Sequence, residues 1–160
     1  MKIFTIAGWS GSGKSALIAG LIQTFQARGR RVIAVKHAPH KHSLQPEAKD
    51  TARFLEAGAD VAFLLGNGEL IRMERISDPA DSFARMCREA GPEDVILLEG
   101  FRRAGVPLIE VFDPSRHPRP KFALHELAAI VCDCEMAGDL PRFGRDQIGA
   151  IAQFMETYNG

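Results

Sequence analysis

The segment Gly8-Trp9-Ser10-Gly11-Ser12-Gly13-Lys14-Ser15 constrains the fold of this chain more than any other. It matches the pattern G-x-x-x-x-G-K-[ST] of the phosphate-binding P-loop, between an apolar run at residues 2–7 and a helical pattern. Its glycines permit positive φ angles, so successive backbone N–H groups can surround phosphate oxygens at a helix start. The segment therefore predicts a nucleoside triphosphate site.

Each residue type in and near this loop has an expected task. Lys14 would place a positive charge on the β- and γ-phosphates, and the Ser15 hydroxyl would ligate Mg²⁺. Glu99 ends an apolar strand and would hold Mg²⁺ or polarise a water, with Gly100 bringing a backbone N–H to the γ-phosphate. The other expected phosphate-binding positions are Gly8, Ser10, Gly11, Ser12, Gly13 and Ala16.

Composition fits one domain over residues 1–160. The chain carries 20 basic and 20 acidic residues and no apolar run long enough to span a membrane, so we expect no nucleic-acid or membrane partner. Its 3 cysteines, Cys87, Cys132 and Cys134, predict small buried thiols and a cytoplasmic location rather than a disulfide framework or a metal site.

Hydrophobic periodicity predicts alternating strands and helices along the whole chain. Helices are expected from the P-loop to Gly29, from Pro46 to Gly58, over 78–90 and over 146–155. Strands are expected over 2–7, 31–36, 61–65, 69–76, 94–101, 107–112 and 127–132, which is the last. The pattern predicts a P-loop NTPase-like three-layer α/β/α fold with a mainly parallel sheet, part of which is antiparallel because of a hairpin at Gly66-Asn67-Gly68.

Further polar residues follow the second predicted strand, at the sheet edge where ligands bind in such folds. Lys36 could bind phosphate there. His37, His40 and His42 could converge on zinc, but we favour ordinary loop or ligand-facing histidines. Asp50 and Arg53 lie three residues apart on one helix, where a surface ion pair competes with a role in the site.

These segments, in this order, resemble the molybdopterin-guanine dinucleotide biosynthesis protein B (MobB) family over essentially the whole chain. The matching segments, besides the P-loop, are Val35-Lys36-His37-x-x-His40, Lys49-Asp50-Thr51-x-Arg53, Ala57-Gly58-Ala59, Leu98-Glu99-Gly100-Phe101, Ile109-Glu110-Val111 and Leu140-Pro141-x-Phe143. The resemblance implies a GTP-binding protein that binds Mg²⁺ with the triphosphate, is a weak GTPase and is usually a homodimer. It implies action beside the guanylyltransferase that joins GMP to molybdopterin, with molybdopterin itself a candidate ligand.

By the same resemblance, His37, His40, Asp50 and Arg53 would line the face beside the phosphates. Gln45 stands in a stretch where the family carries acidic residues and could hold a metal only as a neutral ligand, which leaves metal dependence open. The chain has no Asn-Lys-x-Asp motif for guanine; Asp133 could accept hydrogen bonds from guanine N1 and N2 instead.

Two other functions compete with an accessory GTPase. One is an ATP-dependent small-molecule kinase, for which residues 114–120 could serve as a lid, although their prolines suit a fixed surface loop better. The other is a regulator that holds a nucleotide without turnover.

Overall fold

The computed structural model describes residues 1–36, 46–66, 68–74, 78–101, 105–136 and 138–159, with the backbone alone at 46–50 and 79–81. His37, His40, His42 and Gln45 lie outside the described residues. In chain order the elements are β1 (Lys2–Ala7), α1 (Lys14–Ala27), β2 (Val32–Lys36), α2 (Pro46–Glu56), β3 (Val61–Gly66), β4 (Glu69–Glu74), α3 (Pro79–Glu89), β5 (Val95–Glu99), β6 (Leu108–Val111), a 3₁₀ turn (Leu124–Glu126), β7 (Ala129–Val131), β8 (Arg142–Phe143) and α4 (Ile148–Thr157).

The chain divides into two compact units. The first contains Met1–His37 and Gly91–Gly160, and the second contains Ala38–Ala90. The P-loop and Glu99 belong to the first unit. That both units act as one domain stays a prediction.

A six-stranded sheet in the order β2-β5-β1-β6-β7-β8 forms the first unit, and every neighbouring pair in it is parallel. Because all strands point the same way, their carboxyl ends share one edge, where such folds bind ligands. β5 is an interior strand between β2 and β1, and its apolar residues 95–98 are fully buried. The sequence predicted this burial from four consecutive apolar residues.

Helices α1 and α4 pack against each other over one face of this sheet. Leu17, Leu21 and Phe25 of α1 join Phe4 and other strand residues in the main core. α1 ends as predicted at Gly29, which has φ +72°. The Arg30 N–H reaches back to the Phe25 carbonyl at 2.9 Å, as in a Schellman motif.

The second unit contains α2, α3 and the antiparallel hairpin of β3 and β4, and α2 packs on the hairpin. The mainly parallel sheet, the antiparallel hairpin and the helices confirm the predicted fold class. The hairpin is a separate two-stranded sheet, however, so the expectation that it is part of the main sheet is wrong.

Near the carboxyl terminus the sequence prediction is wrong in three details. The last strand is β8, and α4 begins at Ile148 because Gly144–Gln147 form a turn closed by the Gln147 N–H on the Gly144 carbonyl. Cys132 and Cys134 form a disulfide, so the expectation of separate thiols is wrong for this pair; Cys87 is free. No described helix is long and apolar enough to cross a membrane.

Candidate functional site

The P-loop leaves β1 through a close backbone approach that only glycine permits. Gly8 has φ +136°, and a Cβ built on it would lie 2.2 Å from the Val111 carbonyl oxygen of β6. Gly11 and Gly13 have φ values of +73° and +97°, as the sequence predicted. Gly13 is the N-cap of α1, so the helix begins at Lys14 and directs its first N–H groups towards the loop.

Lys14 is held inside the loop by backbone carbonyls. Its Nζ donates to the Trp9 carbonyl at 2.6 Å and to the Gly8 carbonyl at 3.3 Å. Burial lowers the pKa of Lys14 from its ordinary value, the nearby Glu99 carboxylate opposes that shift, and Lys121 and Lys36 add to it. The ammonium group therefore lies near other cationic side chains, whose positive charge an anionic ligand would neutralise.

Ser15, Glu99 and Lys36 meet at the carboxyl edge of the sheet. The Ser15 Oγ donates to Glu99 Oε2 at 3.2 Å, and Lys36 Nζ lies 3.3 Å from Glu99 Oε1. The strand order explains this, because β5 lies between β2 and β1 and Glu99 is in register with Lys36 and Ile6. A hydroxyl and a carboxylate fit Mg²⁺, which takes one or two protein oxygens and completes its shell with waters and phosphate oxygens.

The segment after β6 covers the outer side of the P-loop. The His117 ring stacks on Trp9 with centroids 5.2 Å apart, and the Trp9 Nε1 donates to the Arg119 carbonyl at 3.1 Å. Lys121 Nζ lies 5.5 Å from the centre of the Trp9 indole. On the same side, Arg116 Nη1 would lie 3.4 Å from a Cβ atom built on Gly11.

Glu110 anchors this segment from within β6. Its carboxylate is fully buried and accepts the backbone N–H groups of Lys121 at 2.6 Å and Phe122 at 3.1 Å. Burial raises the pKa of Glu110, although both hydrogen bonds lower it. Because Glu110 is in register with Ala7, it holds the end of this segment beside the strand that leads into the P-loop.

Asp113, Asp133 and Arg145 form a second charged group near the loop. Arg145 Nη2 lies 3.3 Å from Asp113 Oδ2, and its Nε lies 3.4 Å from Asp133 Oδ2. The hydrogen bond from the Ser115 hydroxyl holds the pKa of Asp113 below its ordinary value, and Arg145 lowers it further. Sequence reasoning did not single out Asp113, Arg116, Lys121 or Arg145, although Asp113 follows the end of β6 at the ligand edge.

The remaining predicted site residues fall into three groups. Ser10 and Ala16 are exposed on the loop and on the first turn of α1, and Ser12 is fully buried. Gly100 follows Glu99 with φ +71°. Asp50 and Arg53 belong to α2 of the second unit, so their place beside the phosphates stays a prediction, as it does for His37 and His40.

The described residues contain no cluster of side chains that could bind zinc. Among them, no group of three or more His, Cys, Asp or Glu side chains could hold a metal ion. His37, His40 and His42 lie outside this part of the chain. The pair of oxygen ligands at Ser15 and Glu99 suits a hard cation that also binds phosphate.

Comparison with known proteins gives consistent matches over nearly the whole chain. The family model described as "Molybdopterin guanine dinucleotide synthesis protein B", MobB, matches residues 3–133. The molybdopterin-guanine dinucleotide biosynthesis adapter protein of Haemophilus influenzae is 28% identical, over 99% of this chain and 89% of its own. The protein of the same name from Escherichia coli is 25% identical, over 100% of this chain and 97% of its own.

Solved structures share the fold. Bacillus subtilis MobB superposes with a TM-score of 0.73 at 22% identity, over 99% of this chain and 100% of its own. A molybdopterin-guanine biosynthesis protein B gives a TM-score of 0.71 at 28% identity, over 97% of this chain and 98% of its own. Because the family model covers most of the sequence, this chain belongs to the MobB family.

Proposed function

We propose that this chain is an adapter protein of molybdopterin-guanine dinucleotide biosynthesis that binds GTP and Mg²⁺ at its P-loop and hydrolyses GTP slowly. The family match and the names of the relatives support the pathway. The contact that carries the nucleotide part is the 3.2 Å hydrogen bond between Ser15 Oγ and Glu99 Oε2. It brings a P-loop hydroxyl and a strand-end carboxylate together beside Lys14.

In this proposal the chemical type of each side chain determines what it does to the triphosphate. The loop N–H groups and Lys14 bind the phosphates, while Ser15 and Glu99 hold Mg²⁺, which neutralises phosphate charge when bound. Lys36 pairs with Glu99 at 3.3 Å and is close enough to pair with a phosphate instead. Hydrolysis is expected to be slow because Glu99 is already shared between Ser15 and Lys36.

The neighbouring loop supports an accessory GTPase over a kinase. A kinase of this size needs a segment that opens and closes over the phosphates. Here residues 116–121 are attached to the P-loop through Trp9, and Glu110 anchors the end of that segment. A segment held at both ends suits a fixed wall of the site better than a lid.

The proposed partners are a molybdopterin guanylyltransferase, with molybdopterin as a candidate ligand, and a second copy of this chain. The hairpin supports the homodimer, because Leu65 and Leu70 are opposite each other and 75% and 61% exposed. Phe63, on the same face, is 53% exposed. An exposed apolar face beside an unpaired strand edge is typical of a surface that pairs with another chain.

The test compares Lys14, the first residue of α1, with Lys2, the first residue of β1. Calorimetry with GTP and Mg²⁺ is run on the unaltered chain, on Lys14→Ala and on the control Lys2→Ala, whose side chain donates to the Tyr158 carbonyl. We expect Lys14→Ala to lose most of the GTP affinity and Lys2→Ala to keep it. Equal affinity in the unaltered chain and Lys14→Ala would contradict the site.

Product analysis then separates the candidate functions. An accessory GTPase releases phosphate slowly with no acceptor present, and it increases dinucleotide formation when added to the guanylyltransferase with GTP and molybdopterin. Transfer of the γ-phosphate to a small molecule would identify a kinase instead. Binding without turnover would identify a regulator.

A further inference from the structure

A small pocket with mainly apolar walls lies beside the start of α1. Its volume is about 160 Å³, and its apolar lining comes from Ala16, Leu17, Val111, Val131 and Ile148. Gly13 and Arg145 complete the lining. Sites for whole small molecules usually measure about 300–1,000 Å³, so this pocket suits one end of a nucleotide rather than all of it.

Among the described residues, Arg145 is the one charged side chain that lines this pocket, and other groups of the protein hold it in place. Its Nη2 donates to the Phe112 carbonyl at 3.2 Å and lies 3.3 Å from the Asp113 carboxylate. These contacts fix the planar guanidinium, whose donors are arranged as a rigid fork.

The Nη1 amino group of Arg145 keeps its donor capacity. It would lie 3.8 Å from a Cβ atom built on Gly13, on the P-loop side, and among the described residues it has no hydrogen-bond acceptor. Nε is buried 3.4 Å from Asp133 Oδ2, so Nη1 is the group that a ligand can reach. A ligand with acceptor atoms would therefore satisfy donors that the protein leaves unused.

Asp133 presents acceptors next to these donors. Its Oδ1 accepts the Arg145 backbone N–H at 2.9 Å, and its side chain is 60% exposed. A carboxylate offers about four lone-pair positions, so most of its capacity stays available for a ligand. A free donor on Arg145, which lines the apolar pocket, and an exposed acceptor on Asp133 thus belong to one ion pair.

Guanine presents the complementary pattern. It carries acceptors at O6 and N7, whereas adenine replaces the O6 acceptor with an amino donor that would face the guanidinium. N1–H adjoins O6, so a carboxylate beside the arginine can accept from N1 and N2. In this proposal the phosphates bind the N–H groups of the loop, so the base would bind in the neighbouring pocket.

We propose that Arg145 determines the preference for guanine by donating to O6 and N7, while Asp133 accepts from N1 and N2. This inference rests on the proposed function, because it requires a nucleoside triphosphate on the P-loop. Arg145 acts on the base and not on phosphate transfer. Its loss should change the choice between GTP and ATP more than it changes binding of phosphates.

The first experiment measures GTP and ATP dissociation constants, with Mg²⁺, for the unaltered chain, Arg145→Ala and Arg145→Lys. The control is Arg142→Ala, since Arg142 is three residues away on β8 and donates to the Met136 carbonyl. We expect both Arg145 variants to lower the preference for GTP by about tenfold or more, with ATP affinity nearly unchanged. Arg142→Ala should keep the full preference.

The second experiment uses the unaltered chain, so it does not depend on a variant that folds. Inosine triphosphate keeps O6, N7 and the N1 proton but lacks the 2-amino group, and 2-aminopurine riboside triphosphate lacks both O6 and the N1 proton. We expect the loss of O6 to weaken binding more than the loss of the 2-amino group. Equal affinity for GTP and the 2-aminopurine nucleotide would overturn the role of Arg145.

The outcomes separate this inference from the proposed function. If the unaltered chain prefers GTP and Arg145→Ala keeps that preference, only the inference fails. Equal losses for GTP and ATP in Arg145→Ala would likewise show that Arg145 serves the phosphates or the loop. If the unaltered chain binds no nucleotide, or binds GTP and ATP alike, the GTP-binding part of the proposed function fails first.

Discussion

Ser15 Oγ donates a hydrogen bond to Glu99 Oε2 over 3.2 Å, although 84 positions separate the two residues in sequence. The parallel pairing of β1 with β5 makes this contact, because both strands end at the same edge of the sheet. A hydroxyl on the first turn of α1 therefore meets the carboxylate that ends β5. The fold itself thus makes the two expected Mg²⁺ ligands neighbours.

Replacing the carboxylate tests whether this pair serves catalysis. We expect Glu99→Gln to keep nucleotide binding, since the loop and Lys14 remain, and to slow phosphate release about 100-fold. Phosphate release is measured under saturating GTP and Mg²⁺. The matched control is Glu93→Gln, an exposed residue paired with Arg30 away from the loop, which should release phosphate at the unaltered rate. Full activity in Glu99→Gln would make Glu99 structural.

Gly8→Ala tests the close approach of the P-loop to β6. The added Cβ would lie 2.2 Å from a backbone oxygen, at a φ of +136° that side chains rarely adopt. We expect the free energy of unfolding to fall by about 2 kcal/mol or more, as measured by urea denaturation. Gly149→Ala, in α4 with no atom within 4 Å of the new Cβ, should instead raise it by about 0.5–1 kcal/mol. Similar values for both variants would contradict this explanation.

Glu110 should make stability depend on pH in a defined direction. Burial raises its pKa, so the folded chain binds the proton more tightly than the unfolded chain. The stabilising contribution is complete below the unfolded pKa of about 4.3 and is lost as pH rises through the raised value.

We therefore expect the unaltered chain to lose stability relative to Glu110→Gln as pH rises from about 4 to 7. The measurement is the difference in free energy of unfolding between the two chains across that range, in which all other carboxyl groups cancel. The glutamine adds an offset that does not vary with pH. A difference that is constant, or that changes in the opposite direction, would contradict the raised pKa.

The apolar face of the hairpin should control the oligomeric state. We expect Leu70→Lys to turn a dimer into a monomer, because a charge would replace an apolar side chain that is 61% exposed in the single chain. The mass in solution is measured by light scattering. Leu124→Lys provides the control, since Leu124 is also exposed, at 39%, but lies in the 3₁₀ turn of the other unit. A monomeric unaltered chain, or a dimer that survives in Leu70→Lys, would contradict the proposed interface.

Local sequence signals predicted the part of the site that is contiguous in the chain. The glycine spacing and the Lys-Ser pair of the P-loop define its backbone, and Gly29 marks the end of α1. Glu99 was predictable because it ends a run of four buried apolar residues, which is typical of a central parallel strand.

Contacts that depend on strand order were not predictable in the same way. Asp113, Asp133 and Arg145 follow different strands, and only the order β6-β7-β8 brings them together. β8 itself has two residues, which are too few to show the alternation of apolar and polar residues by which a strand is recognised in a sequence. Residues 116–121 lie against Trp9, and the Glu110 carboxylate binds the backbone at the end of this segment. In the sequence alone, Glu110 is simply one acidic residue within a strand.

The most direct test of the central claim uses Trp9, the only tryptophan of the chain, which lies inside the P-loop. GTP and then ATP are titrated with Mg²⁺ while Trp9 fluorescence is followed, and calorimetry checks the affinities. We expect a saturable fluorescence change with clear preference for GTP, and loss of that change in Lys14→Ala. No response to either nucleotide would contradict the P-loop site, and equal or tighter binding of ATP would contradict its assignment to GTP.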